Sequence, residues 1–289
     1  MKEGYILKTV SKNMTSYGDF KWKKKGEVIC PNWKANKECG NGLHGALNGQ
    51  GDGSLFSWDK GAIWIVAKVD ISEGINLDGK WKFPKATVVY AGTQKKATDM
   101  IAKLCGDVGI IGKIMTGGYC SKMTGGDCSK MTGGDCSKIT GGDYSKITGG
   151  YYSKITGGYC SKITGGYYSK ITGGDYSKIT GGDSSKMTGG DSSKMTGGDY
   201  SRMTSGYYSK MTGGNSSRVS SGVNSTLDIG KFSGAIISGS KAKIKCEKET
   251  VLLLYWVKGD KLNHFVFLGS DYPKKVGKWV NIDSGRLCW

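Results

Sequence analysis

Between Gly117 and Ser220 the chain repeats one eight-residue phrase thirteen times without insertion. A period held that strictly restricts the fold to stacked units, each of which buries its apolar face on its neighbours. The phrase reads Gly-Gly-(Asp/Tyr)-(Cys/Tyr/Ser)-Ser-Lys-(Ile/Met)-Thr, as in GGDYSKIT from Gly141 to Thr148. Position seven is apolar every time, from Met123 through the Ile139–Ile179 run to Val219, so it faces inward. Strand side chains alternate, which places Ser at position five inward and positions six and eight outward. The Gly-Gly pair is expected to supply the positive-φ corner where the chain turns. One octad at about 3.3 Å per residue is too short to close a coil around two facing side chains, whereas two octads suffice. The expected fold is therefore mainly β, a β-solenoid of six to seven sixteen-residue coils, a flattened rod about 30 Å long with two parallel sheets.

The outward positions form rows. Position six gives Lys122, Lys130, Lys138, Lys146, Lys154, Lys162, Lys170, Lys178, Lys186, Lys194, Arg202, Lys210 and Arg218. Position eight gives Thr124, Thr132, Thr140, Thr148, Thr156, Thr164, Thr172, Thr180, Thr188, Thr196, Thr204 and Thr212. At position three, seven Asp residues are expected to offset part of the lysine charge, and Tyr119, Tyr151, Tyr159, Tyr167 and Tyr207 form an aromatic assembly rim with the position-four tyrosines. A bare sheet needs charges to keep it from pairing with another, and the Lys rows meet that need. A Thr at twelve successive octads, followed by Ser220, is more regular than solubility requires.

The octad resembles the repeat of bacterial ice nucleation proteins, whose units read approximately A-G-Y-G-S-T-x-T. The match lies in residues 117–220, with Gly at position two, Tyr at three, Ser at five and Thr at eight. The resemblance implies a β-solenoid with two octads per coil, rows of T-x-T that order water, and Tyr ladders that join molecules. This chain departs at the first Thr, which is Lys or Arg throughout. In that family, basic residues at that place mark terminal coils concerned with assembly, so the resemblance implies assembly more than water ordering here.

The flanks read as caps, giving three domains: 1–108, small and α+β; 109–244, the solenoid; and 245–289, small and β. In the first, Tyr5–Val10, Ala62–Val69 and Lys85–Tyr90 read as strands. Thr93 can cap a helix whose apolar residues Ala97, Met100, Ile101 and Leu104 share a face, with Gly106 as its stop. Its phrase Cys39-Gly-Asn-Gly-Leu-His-Gly45 contains G-x-G-x-x-G, but polar turn material precedes it where a nucleotide-binding loop needs a strand. It reads as a structural loop, although Cys39 and His44 are a thiol–imidazole combination of the kind used in nucleophilic chemistry. CGNGLHG also resembles a phrase in phage and bacterial repeat-array proteins of unknown function. From Ser221 the octad decays. Val251–Val257 with His264–Leu268, and Lys278–Ile282 with Arg286–Trp289, then read as strand pairs, with His264 as a packed core residue.

The net charge of +18 is spread as +7 on residues 1–116, +6 on the octads and +5 on 221–289, so the whole surface favours anionic partners. Cysteines alternate with Tyr and Ser at position four, which argues against a disulfide framework, and no C-x-x-C pair suggests zinc or redox work. No paired acids, metal ligands or cofactor motif give catalysis a place, so the expectation is a non-enzymatic protein without metal or cofactor. The N-terminus lacks the apolar core of a secretory signal and no 18-residue apolar run is present, so no membrane span and a cytoplasmic or virion- or assembly-associated location are expected. The functional expectation is a repeat scaffold acting by self-association, as dimer or filament, or by surface binding. The alternatives are an anionic polymer held by the Lys rows, and ice binding.

Overall fold

A computed structural model describes the backbone of residues 2–106, 109–238, 241–247, 250–258, 261–268, 279–283 and 286–288, and side chains up to residue 251 apart from 238, 241 and 246. By contact the chain divides into two units: residues 1–115 with 124–130, and residues 116–123 with 131–289.

The first unit is built on an antiparallel sheet of seven strands: β1 (Glu3–Val10), β2 (Gly26–Ile29), β3 (Leu43–Leu47), β4 (Ile63–Asp70), β5 (Ile75–Asn76), β6 (Trp81–Phe83) and β7 (Lys85–Gly92). Their order is β2-β7-β4-β1-β3-β6-β5. The three strands expected from sequence are β1, β4 and β7, the centre of the sheet, where alternation is strongest. One face carries Ile6, Trp22, Val28, Ile65 and Phe83. The other carries Leu7, Trp64 and Val66, covered by the helix α1 (Gln94–Cys105) through Ala97 and Ile101. Thr93 stands at the N-cap and Gly106, at φ 89°, at the C-cap, as read from sequence. Leu104 is not on the packed face: it is 45% exposed, at the last turn of the helix.

The phrase around Cys39 is a loop only in its first part. Leu43–Leu47 is β3, whose glycine at 45 is required because a Cβ there would lie 2.8 Å from Ile6 Cβ. A glycine-rich strand has few of the β-branched residues that signal one, so composition hid it. The G-x-G-x-x-G sequence thus runs into a strand, not a helix N-terminus, and lacks the geometry that cradles a pyrophosphate.

The repeat is a β-solenoid of about eight turns from residue 114 onward, two octads to a coil. Odd octads stack in one parallel sheet and even octads in the other, each strand being the Lys-Ile/Met-Thr triplet. Register is strict: Lys146 faces Lys162, Ile147 faces Ile163 and Thr148 faces Thr164. Position seven is buried throughout, as is the position-five Ser ladder, 0–1% exposed from Ser129 to Ser217. From Ser153 to Ser217 each buried hydroxyl is satisfied by donating to the position-two carbonyl of the coil before, as Ser169 does to Gly150 O at 3.2 Å.

The corner is not where the sequence suggested. No glycine of the array is in the left-handed region; the residue there is position four, with φ of 51–58° at every octad from Cys120 to Ser216. Its N–H is aimed at the next coil, as Tyr152 N donates to Tyr167 O at 2.9 Å. The glycines answer to space. At position two a Cβ on Gly166 would sit 2.9 Å from Gly150 C, in the backbone of the neighbouring coil. At position one the obstacle is the octad's own Ser, 2.9 Å away for Gly149. Side chains yield more readily than backbone, and position one does admit Ser205 and Ser221, whereas position two is Gly at every octad.

The octad also outlasts its sequence. Asn224 and Phe232 continue the left-handed corner at eight-residue spacing. Ser225, Leu227, Ser233 and Ala235 continue the buried positions. Strands Ser225–Ile229, Gly234–Ser238, Lys241–Cys246 and Val251–Lys258 extend the two parallel sheets. Antiparallel strands then end them: Lys261–Leu268 on Val251–Lys258, and Trp279–Asp283 on Lys241–Cys246 with Arg286–Cys288 beyond. These are the strand pairs read from the sequence. The packing expected of His264 falls outside the described side chains. Among the described residues no helix is long and apolar enough to cross a bilayer.

The spacing of the coils yields a test. Gly166→Ala must push two backbones apart and is expected to cost about 1–3 kcal/mol, whereas Gly118→Ala, with nothing within 4 Å of its Cβ position, is expected to be nearly neutral. Chemical denaturation followed by far-ultraviolet circular dichroism compares the two; equal midpoints would remove inter-coil contact as the reason for the glycine.

Candidate functional site

Two sheet faces and two turn edges make up the surface of the array. The structure sorts the sequence-derived rows among them. Lys122, Lys138, Lys154, Lys170, Lys186, Arg202 and Arg218 lie on one sheet, and Lys130, Lys146, Lys162, Lys178, Lys194 and Lys210 on the other. All are exposed, and a parallel Thr row of intermediate or full exposure runs two residues away on each face. Strand spacing sets each cation about 4.8 Å from the next, where like charges repel by roughly 1 kcal/mol in water. Among the described residues the ion pairs of Lys lie elsewhere, as in Glu3–Lys68, Glu73–Lys85, Lys95–Asp99 and Asp228–Lys245, and none involves the rows. The faces are therefore uncompensated positive strips.

The position-three Asp residues, read from sequence as charge relief, make a backbone contact. Asp135 Oδ1 accepts the N–H of Tyr151 one coil on at 2.8 Å, and Asp143 does the same for Tyr159. Asp175, Asp183, Asp191 and Asp199 repeat the bond, and Asn215 does so to Lys231 N at 3.0 Å. At the edge each strand-to-strand turn would otherwise leave that N–H to solvent, and the carboxylate joins coil to coil there. The signal was available in principle: Asx side chains favour turns and accept from nearby backbone, but the partner is sixteen residues away.

Where Tyr replaces Asp, ring stacking takes over. The rim residues divide between the edges: Tyr119, Tyr151 and Tyr167 are on one, Tyr159 and Tyr207 on the other. On the first edge Tyr151 stacks on Tyr167, with centroids 5.3 Å apart and planes at 7°. Beside it the position-four pair Tyr152 and Tyr168 stacks at 5.0 Å and 6°. On the second edge Tyr144, Tyr159 and Tyr176 meet edge to face, at 5.7 and 5.4 Å. The same sequence motif thus makes a flat double ladder on one edge and a herringbone on the other, because only the first has two adjacent coils with Tyr at both positions. Exposure of these rings remains high, from 39% at Tyr159 to 76% at Tyr119. The Tyr119 hydroxyl and Cys136 Sγ are hydrogen-bonded at 3.8 Å, and the ties of Tyr119 to Cys136 and Cys120 hold the phenol above its usual pKa.

Cys39 and His44 do not bond to each other. His44 Nε2 accepts from Gly40 N at 3.4 Å, and Cys39 Sγ is bound by Lys80 Nζ at 3.0 Å. Sequence reasoning missed Lys80, which is forty-one residues from the cysteine.

Residues 5–102 match a family described as a domain of unknown function (DUF7666). Curated proteins similar to this chain are named ice nucleation proteins, the family the octad resembles. InaU of Pantoea ananas is 40% identical over 98 residues, 33% of this chain and 10% of the relative. That of Enterobacter agglomerans is 40% identical over 98 residues, 33% and 8% of the two chains. One from Pseudomonas syringae is 32% identical over 104 residues, 35% and 9%. The matched stretch is a tenth or less of each relative's length. No solved structure matches the chain.

The Asp bond makes a specific forecast. Asp183→Asn keeps an acceptor, as Asn215 does, and is expected to leave amide exchange at Asp199 unchanged. Asp183→Ala is expected to cost about 1 kcal/mol and to speed that exchange, read by hydrogen–deuterium mass spectrometry. Equal protection in both variants would mean that the side chain does not hold the turn.

Proposed function

We propose that the protein is a non-enzymatic repeat scaffold that associates edge to edge with other copies of itself. The observation that carries this reading is the division of labour around the coil. In-register Lys strips on both sheets repel a second copy approaching face on, an arrangement that protects open sheets from pairing. The turn edges carry exposed, already ordered tyrosine stacks, and contiguous aromatic surface of this kind marks contact sites. Rings held in ladders lose little further freedom on docking, which lowers the cost of association. Light scattering should find concentration-dependent assemblies that shrink when Tyr151, Tyr152, Tyr167 and Tyr168, four rings on one edge, become Ser. A wild-type protein that stays monomeric across the concentration range overturns the reading.

A second reading is supported by the uncompensated strips: a polyanion laid along one face. Binding would rest on counterion release and fall steeply with salt. Lys146, Lys162 and Lys178 share a face, and changing all three to Gln is expected to reduce the slope of log affinity against log salt for heparin by about 2–3. Retention independent of salt counts against it. Ice binding rests on the names of the relatives and on the Thr rows. It is the weaker reading here, because a long mobile cation stands beside every Thr where a regular water-ordering surface would need a short fixed hydroxyl.

A further inference from the structure

Between β1 and β3 the sheet of the first unit opens. The strands pair at Ile6 with Leu47 and at Leu7 with Ala46. Beyond that point β1 continues along β4 and β3 along β6. The gap is a pocket of about 530 Å³ whose lining includes Lys8, Cys39, His44, Leu55, Phe56 and Lys80, and no carboxylate residue. Cys39 is brought there by a loop that Lys82 anchors. Lys82 is fully buried, and its ammonium donates to Asn36 Oδ1 at 2.8 Å and to the Glu38 carbonyl at 2.9 Å. A charge buried with those bonds fixes the residue that follows.

Within the pocket Lys80 Nζ donates to Cys39 Sγ at 3.0 Å, and this bond lowers the thiol below its ordinary pKa. Lys8 supplies a second ammonium, 5.5 Å from the centre of the Trp22 ring. Burial, and then the charge of Lys80, brings it down to about 8, so it remains mostly charged at neutral pH. Burial and the surrounding lysines hold His44 down to about 4, which makes it a neutral imidazole and no source of further charge. The pocket thus sets an exposed, polarised thiol against the Lys80 ammonium, with Lys8 and an apolar wall elsewhere in the same lining. Its size admits an organic group of many atoms.

We propose that this pocket is a thiol-exchange site in which Cys39 takes up small organic disulfides bearing carboxylates. The Cys39 thiol first gives its proton to water, and the thiolate formed attacks one sulfur of R–S–S–R. The Cys39–S bond to that sulfur forms as the R–S–S–R bond breaks. The departing thiolate leaves with the electron pair and takes a proton from solvent. Lys80 favours the attacking thiolate, while Lys8 and Lys80 draw the carboxylates in and Leu55 and Phe56 meet the aliphatic part.

The test uses the reduced full-length protein with oxidised glutathione, which is anionic, and with cystamine, a cationic disulfide, followed by peptide mass spectrometry of every cysteine. Cys39 is expected to be modified about ten times faster than the exposed Cys120 and Cys136, and faster by glutathione disulfide than by cystamine. Lys80→Gln and, independently, Lys8→Gln should each slow Cys39 several-fold and leave Cys120 unchanged. Uniform rates across the cysteines, or preference for cystamine, overturn the proposal, and the charge comparison on unaltered protein does so without relying on any variant's folding.

Discussion

The array depends on how closely one coil lies on the next. A position-two glycine rests its backbone on the backbone below, with no room for even a methyl group. That approach lets the Ser hydroxyl reach the carbonyl of the preceding coil and puts Lys, Ile or Met, and Thr in register at every level. The core is thin, one apolar side chain and one Ser per octad, so burial of apolar surface contributes less than in an ordinary domain. Inter-coil hydrogen bonds, edge carboxylates and ring stacks supply the rest of the order. Stability in such a chain is a sum of local terms between neighbours.

The left-handed residue at position four sharpens this picture. For a side chain with a Cβ this conformation costs roughly 1–2 kcal/mol, and thirteen successive octads accept it with Cys, Tyr or Ser. Glycine would relieve the strain and remove the side chain. What the corner retains is a ring, thiol or hydroxyl projecting from the turn, which is what an edge needs if it is to touch something.

Much of the array was legible from its period, because alternation within the triplet decides what faces in and what faces out. Ser at position five read as inward and is buried; Lys at six read as outward and is exposed. The corner was misplaced because Gly-Gly is the usual sign of positive φ, and nothing in Cys, Tyr or Ser announces it. The two further octads after Ser220 were hidden for a related reason: Asn224 and Phe232 keep the geometry while the phrase around them changes. In the first unit the helix and central strands followed from pattern, whereas β3 was lost in a glycine-rich phrase. The meeting of Cys39 with Lys80 and Lys8 depends on where β1 and β3 separate, a tertiary event with no local trace.

Two octads to a coil give the array a parity. Loss or gain of sixteen residues, one full turn, would leave every later residue on its own face and edge. Loss or gain of eight would preserve the buried pattern equally well and yet carry each later Lys to the opposite sheet and each later Tyr to the opposite edge. A repeat tract that changes length by single units would therefore keep its fold while reshuffling its exterior. Array length in such chains is a variable of surface design, with even and odd unit counts presenting different outsides from the same inside.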